Sequence, residues 1–143
     1  MKTLTLILLL LSSVLLAETL NIGTNIATLN IKDQFGEKLP TQKSKTLIFA
    51  FSKAKGKEVK EFLDKNPNYL KKHHANYIAD ISSAPSLIAS MFMIPKFEKY
   101  PFKMGLIRDE KLSKILPKRE NMLTILSLKN SKVTKIKFQN MLP

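Results

Sequence analysis

Apolar and polar positions alternate early in the chain in a way that predicts a short β-hairpin. Leu29 and Ile31 flank polar Asn30, the period-two signature of a strand with one buried face. Asp33-Gln34-Phe35-Gly36 follows. An Asp there folds its side chain onto the backbone ahead, and Gly36 accepts a positive φ, so this is the turn. Residues 37–39 return as the second strand. Thr46-Leu47-Ile48-Phe49-Ala50-Phe51 is almost continuously apolar, which predicts a strand covered on both faces, as in a sheet between helices. Ser52-Lys53-Ala54-Lys55-Gly56 reads as a polar connection. From 57 to 65 the period becomes helical: Val59, Phe62 and Leu63 share one face, while Lys60, Glu61 and Asp64 point outward. Pro67 disfavours helical geometry at Asn66 and stops the helix.

The pattern then repeats. Residues 76–81 form a second buried strand. Ser82 or Ser83 caps a helix with Pro85 in its first turn, whose apolar stripe is Leu87, Ile88, Met91 and Ile94 and whose end is Pro95. Met91-Phe92-Met93 reads as core rather than as a soft ligand-contact patch. A linker over 96–103 carries Phe97, Tyr100 and Phe102. Residues 104–107 make a short strand, 109–116 fit neither period, and Pro117 closes them. Residues 123–128, the turn Lys129-Asn130-Ser131-Lys132 and the returning Val133, Ile136 and Phe138 form a second hairpin. The order is hairpin, β, α, β, α, β, hairpin. It predicts an α/β domain whose mixed sheet is flanked by helices, parallel within the βαβ units and antiparallel in the hairpins.

Composition bears on compartment and chemistry. At 143 residues and 44% hydrophobic, the chain is long and apolar enough for one core. Lys2, an apolar run over 4–16 and Ala17 before Glu18 have the layout of a secretory signal, and the run is short for a bilayer span. Residues 1–17 are therefore read as a signal peptide and 18–143 as the exported, periplasmic domain. Leu15 stands where a small residue is usual, so an uncleaved N-terminal anchor is the alternative. Cysteine is absent. That excludes disulfides, thiolate metal sites and every thiol mechanism. The formal charge is +13, but only Arg108 and Arg119 of the 24 basic residues are Arg. Nucleic-acid recognition favours Arg forks and free aromatics, whereas Phe49, Phe51 and Phe62 lie inside apolar runs. A lysine-coated surface, or attraction to an anionic envelope surface, fits better than nucleic acid.

The pattern resembles the thioredoxin-like fold in its peroxiredoxin (AhpC-TSA-like), periplasmic form. Ile22-Gly23, Leu29, Asp33-Gln34-Phe35-Gly36 and Leu39 are similar to that family's opening, without its proline. The segment from Leu123 to Val133 resembles the stretch running from its cis-proline through a Lys-Asn-Gly turn. A nearer likeness is to small periplasmic proteins of the YtfJ type, carried by 84–93, Tyr100-Pro101-Phe102 and Leu106-Ile107-Arg108-Asp109. The resemblance implies a redox loop after Phe51, yet that loop reads Ser52-Lys53-Ala54-Lys55-Gly56-Lys57 and holds no thiol. The cis-proline position holds Leu123, where a trans bond is expected, and the fold's last helix is missing after the second hairpin.

Other chemistry finds little support. Ser52 is near the implied loop, but a hydroxyl needs an adjacent base and none is recognisable. His73 and His74 are adjacent, so they do not share a face, and no carboxylate lies at ligand spacing. Asp33, Asp80 and Asp109 end apolar segments, the placement of turn-forming Asp. No Gly-rich phosphate motif exists, and no cofactor or metal is implied. The expected role is a non-catalytic binding or accessory module without thiol oxidoreductase or peroxidase activity. Its protein partner would meet Ser52, Lys53, Lys55, Gly56, Lys57, Met122 and Leu123. A redox-related enzyme with an unrecognised cofactor and a cationic envelope-binding protein are the alternatives.

Overall fold

The computed structural model describes residues 19–143; the segment read as a signal peptide lies outside them. Seven strands form one mixed sheet: β1 (Ile31–Asp33), β2 (Lys38–Leu39), β3 (Thr46–Ala50), β4 (Ala75–Asp80), β5 (Met104–Ile107), β6 (Leu123–Lys129) and β7 (Lys132–Gln139), in the order β2-β1-β5-β4-β3-β6-β7. β3, β4 and β5 run parallel, and the other pairings are antiparallel. This is the α/β mixed sheet flanked by helices that the pattern predicts. Helix α1 spans Lys53–Lys65 and the short α2 Tyr69–Lys72. Helix α3 is continuous but composite: Ser86–Ile88, a π-type segment Ala89–Met93, and Ile94–Glu98. Helix α4 is Glu110–Ile115, capped by the Asp109 side chain, which accepts the Lys111 amide at 2.9 Å.

Side-chain direction alternates along the central strands, and both faces are buried, which divides the core in two. Ile48, Ala50, Tyr77, Ala79, Met104 and Leu106 face α1 and α3, with Val59, Leu63 and Ala89 opposite them. Leu47, Phe49, Ile78 and Ile107 face the other way, against Leu20, Ile26, Leu116 and Val133. This is why 46–51 reads as continuously apolar: both pleat directions are buried. The edge strand β7 presents Lys132, Lys135 and Lys137 to solvent, a charge pattern that discourages edge-to-edge pairing.

Four expectations are corrected, the first being that Ser82 or Ser83 caps the second helix and Pro95 ends it: α3 begins at Ser86 with no side-chain cap and runs through Pro95 to Glu98. Leu29 lies in the one-turn 3-10 helix Ile26–Leu29, not in a strand, because the Asn25 side chain caps the Ala27 amide at 3.0 Å. The hairpin begins only at Ile31. Helix α1 starts at Lys53 rather than 57, because Ser52 caps it. The stripe Leu87, Ile88 and Met91, and with it Phe92, is exposed rather than core. Ala89 supplies the buried contact instead, with Met93, Ile94 and Phe97 partly buried beside it. Both helix faces are apolar in the sequence, so periodicity alone does not say which one turns inward.

Gly105 shows how tightly β5 sits. A Cβ there would lie 2.9 Å from Ile78 Cγ1 and 3.1 Å from Ile31 Cγ2. Gly105→Ala is therefore expected to cost about 1–2 kcal/mol through overpacking, read as a lower urea midpoint at unchanged slope. Tyr77 is almost fully buried, and burial raises its phenol pKa far above the ordinary 10.0. The folded state thus keeps a proton that the unfolded chain releases. The resulting stabilisation is complete below pH 10 and is lost as pH climbs beyond it. Tyr77→Phe should lose less stability than the parent between neutral pH and the alkaline limb of a denaturation series.

Candidate functional site

The parallel strand β3 ends at Ala50 and delivers Phe51 and Ser52 to the start of α1. Phe51 stacks on Phe49 with ring centroids 5.9 Å apart and an interplanar angle of 5°, which fixes the exit direction. Ser52 has extended geometry (φ −135°, ψ 157°), and its Oγ accepts the Lys55 amide at 3.2 Å. It is the helix N-cap. That bond assigns the hydroxyl a capping role, and no His or carboxylate partner accompanies it.

The first turn of α1 contains Lys53 and Lys55 and no acidic residue. Lysines are poorly placed here, because a helix N-terminus carries partial positive charge. Lys55 relieves the conflict by folding inward. Its buried ammonium donates to Glu58 Oε2 at 2.8 Å, to the Asn140 carbonyl at 2.9 Å and to Asn140 Oδ1 at 2.7 Å. Three donors meet three acceptors, which accounts for the whole capacity of an ammonium. Residues 140–143 after β7 form no helix; Leu142 packs on the α1 side of the core. The end of the chain therefore lies over the beginning of α1, latched by Lys55.

On the other side of Phe51 is a second polar group that sequence reading missed. Lys118 sits over the Phe51 ring, 4.7 Å from its centroid, and donates to Ser113 Oγ at 3.0 Å. Ser113 in turn donates to Asp80 Oδ2. The other carboxylate oxygen, Asp80 Oδ1, accepts the Ser82 amide at 2.9 Å and the Ser82 hydroxyl at 2.6 Å. The expected turn role of Asp80 is present, together with a bridge to α4. An ammonium that donates to the serine is not a base for it, so this is a charge-neutralising tie between strand end and helix, not a nucleophile pair.

The pairing of β3 with β6 places Phe49 opposite Thr124, so Leu123 lies beside the end of β3, as the resemblance implies. The bond before Leu123 is trans. Lys55 and Leu123 are buried, Gly56 and Met122 are half-buried, and Ser52, Lys53 and Lys57 are exposed. Two of the seven predicted contact residues thus offer no surface. Gly56 sits against Tyr77: a Cβ there would lie 3.4 Å from its hydroxyl.

The two histidines have separate surroundings. His73 ends α2 with its ring 4.4 Å from that of Tyr69, and His74 has φ 48° beside a groove of about 350 Å³ with Lys43, Lys71 and Lys103 on its walls. This groove had no sequence signal, since its residues come from five separate segments. Among the described residues, no three of His, Asp and Glu converge as a metal site would require, and no helix is long and apolar enough to cross a membrane.

No family model and no curated protein matches the chain. Among solved structures it is similar to an uncharacterized thioredoxin-like protein from Porphyromonas gingivalis, with TM-score 0.51 and 13% identity, covering 82% of each chain. It is also similar to a cysteine-to-serine mutant of peroxiredoxin Q from Xanthomonas campestris, with TM-score 0.52 and 13% identity, covering 85% of this chain and 87% of the other. The Xanthomonas campestris bacterioferritin comigratory protein gives TM-score 0.50 and 15% identity over 85% and 87%. The chain has a thioredoxin-like fold, and it has no cysteine.

Proposed function

We propose that this cysteine-free thioredoxin-fold chain is an exported, non-catalytic binding module, a reading that rests on its signal-like N-terminus, its fold and its missing thiol. The observation that carries the reading is the start of α1. Where the fold's chemistry needs a thiolate, the chain has Lys53-Ala54-Lys55-Gly56, and Lys55 spends all its donors on Glu58 and Asn140. What faces outward is a capped helix start with exposed Ser52, Lys53 and Lys57; Met122, before β6, is half-buried. Such a surface suits an acidic protein partner, because lysines at a rim steer encounter more than they add affinity.

The test combines location, turnover and contact. The protein should fractionate with the periplasm, and the purified chain should reduce neither a hydroperoxide nor a disulfide. A photo-crosslinker at Lys53 should trap one protein in cells, and the adduct should be lost in the Lys57→Glu variant but kept in Lys32→Glu, on β1. Turnover by the purified chain, a cytoplasmic location, or an adduct indifferent to Lys57→Glu would each sink the proposal.

A further inference from the structure

The outer face of α3 is an exposed apolar stripe. Leu87 is 68% exposed, Ile88 44%, Met91 58% and Phe92 63%. They fall at i, i+1, i+4 and i+5, so they share one side of the helix, while Ala89, Met93 and Ile94 hold the opposite side to the core. From Leu87 to Pro95 only Ser90 is polar. A helix apolar all round is normally covered all round, and the domain covers half of this one. A contiguous exposed stripe of this kind marks an interaction surface.

We infer that this face docks on an anionic lipid bilayer, with Leu87, Ile88, Met91 and Phe92 inserted at the headgroup boundary. Charge selects the occupant. No acidic residue lies between Asp80 and Glu98, while Lys96 and Lys99 follow the stripe; Lys103, further on, is paired with Glu37. Arg108 is held against the helix itself, its Nη2 donating to Ser90 Oγ at 3.0 Å. An apolar stripe flanked by cations is the pattern of a helix lying in a membrane interface, where each nearby cation adds to attraction by acidic lipids. A second copy is the poorer fit, because pairing two such faces would bring together two chains of charge +13. The two proposals rest on different residues, Leu87, Ile88, Met91 and Phe92 here and Ser52, Lys53 and Lys57 there, so either can fail alone.

The chain has no tryptophan, so Phe92→Trp in the full chain gives a single reporter on the stripe. Its emission should shift to the blue and become shielded from iodide when phosphatidylglycerol-containing vesicles are added. Phosphatidylcholine vesicles should act weakly, and salt should reduce the effect. Adding Leu87→Ser and Met91→Ser, both exposed and so compatible with folding (checked by circular dichroism), should weaken vesicle binding roughly tenfold or more. An unshifted Trp at saturating vesicles would overturn the inference, even if the chain sediments with them, since the rest of the chain would then be the attachment. A shift that depends on protein concentration without lipid would also overturn it, in favour of a second copy. So would one that needs an added protein.

Discussion

The Gln34→Ala variant is expected to unfold at a clearly lower urea concentration, with a loss of about 2–4 kcal/mol. Gln34 sits in the first hairpin turn yet is only 4% exposed. Its Nε2 donates to the carbonyls of Phe102 at 2.9 Å and Phe97 at 3.2 Å, and its Oε1 accepts the Met104 amide at 2.8 Å. One side chain thus ties the turn to the end of α3, to the loop after it and to the first residue of β5. Each bond is worth about 0.5–1.5 kcal/mol net, but removing one partner leaves buried backbone groups unpaired, at about 1–3 kcal/mol each unless water reaches them. Gln34→Glu should be at least as damaging at neutral pH, because a carboxylate would face the same two carbonyl oxygens without a proton to donate. Phe35→Ala next door, at an exposed site, should shift stability by less than about 0.5 kcal/mol. Equal midpoints for Gln34→Ala and Phe35→Ala would show that the ties are not holding the turn.

Gln34 also marks where sequence reading stops. The turn Asp33-Gln34-Phe35-Gly36 was legible because its chemistry is local: Asp33 Oδ1 accepts the amides of Phe35 and Glu37, each at 2.9 Å, and Gly36 takes φ 83°. The second hairpin was legible for the same reason, with Asn130 and Ser131 both at positive φ between β6 and β7. Partners of Gln34 lie 63 to 70 residues away, and no spacing rule reaches them. The same holds for Asp80 and Ser113, which stand 33 residues apart. The start of α1 is not legible in the sequence because Lys53, Ala54 and Lys55 carry no apolar period; the capping bond from Ser52 marks it, and one Ser before a lysine run is an ambiguous signal. The α3 stripe failed for the opposite reason, having too much apolarity for a moment to choose a face.

Lys55→Ala is expected to lose about 2–3 kcal/mol and to free the end of the chain, and the relative size of its three contacts says why. Glu58 is nearly half exposed, so its ion pair is worth under about 1 kcal/mol. The two bonds to Asn140 are part-buried and charge-assisted, the class worth about 1.5–3 kcal/mol each, but removing the ammonium also removes the cost of burying it, so the net loss is about 2–3 kcal/mol. The latch to residue 140 therefore outweighs the salt bridge. Asn140→Ala should cost only about 1 kcal/mol, because its backbone carbonyl still accepts, and Glu58→Gln less again. A double-mutant cycle between positions 55 and 140 should give a coupling above about 0.5 kcal/mol. Amide exchange at residues 139–142 should speed up in Lys55→Ala while that of β3 stays slow. If exchange there is unchanged, the tail is held by Leu142 against the core rather than by the ammonium. If Glu58→Gln matches Lys55→Ala, the pair within the helix, not the closure of the chain end over the thiol-less site, is what Lys55 serves.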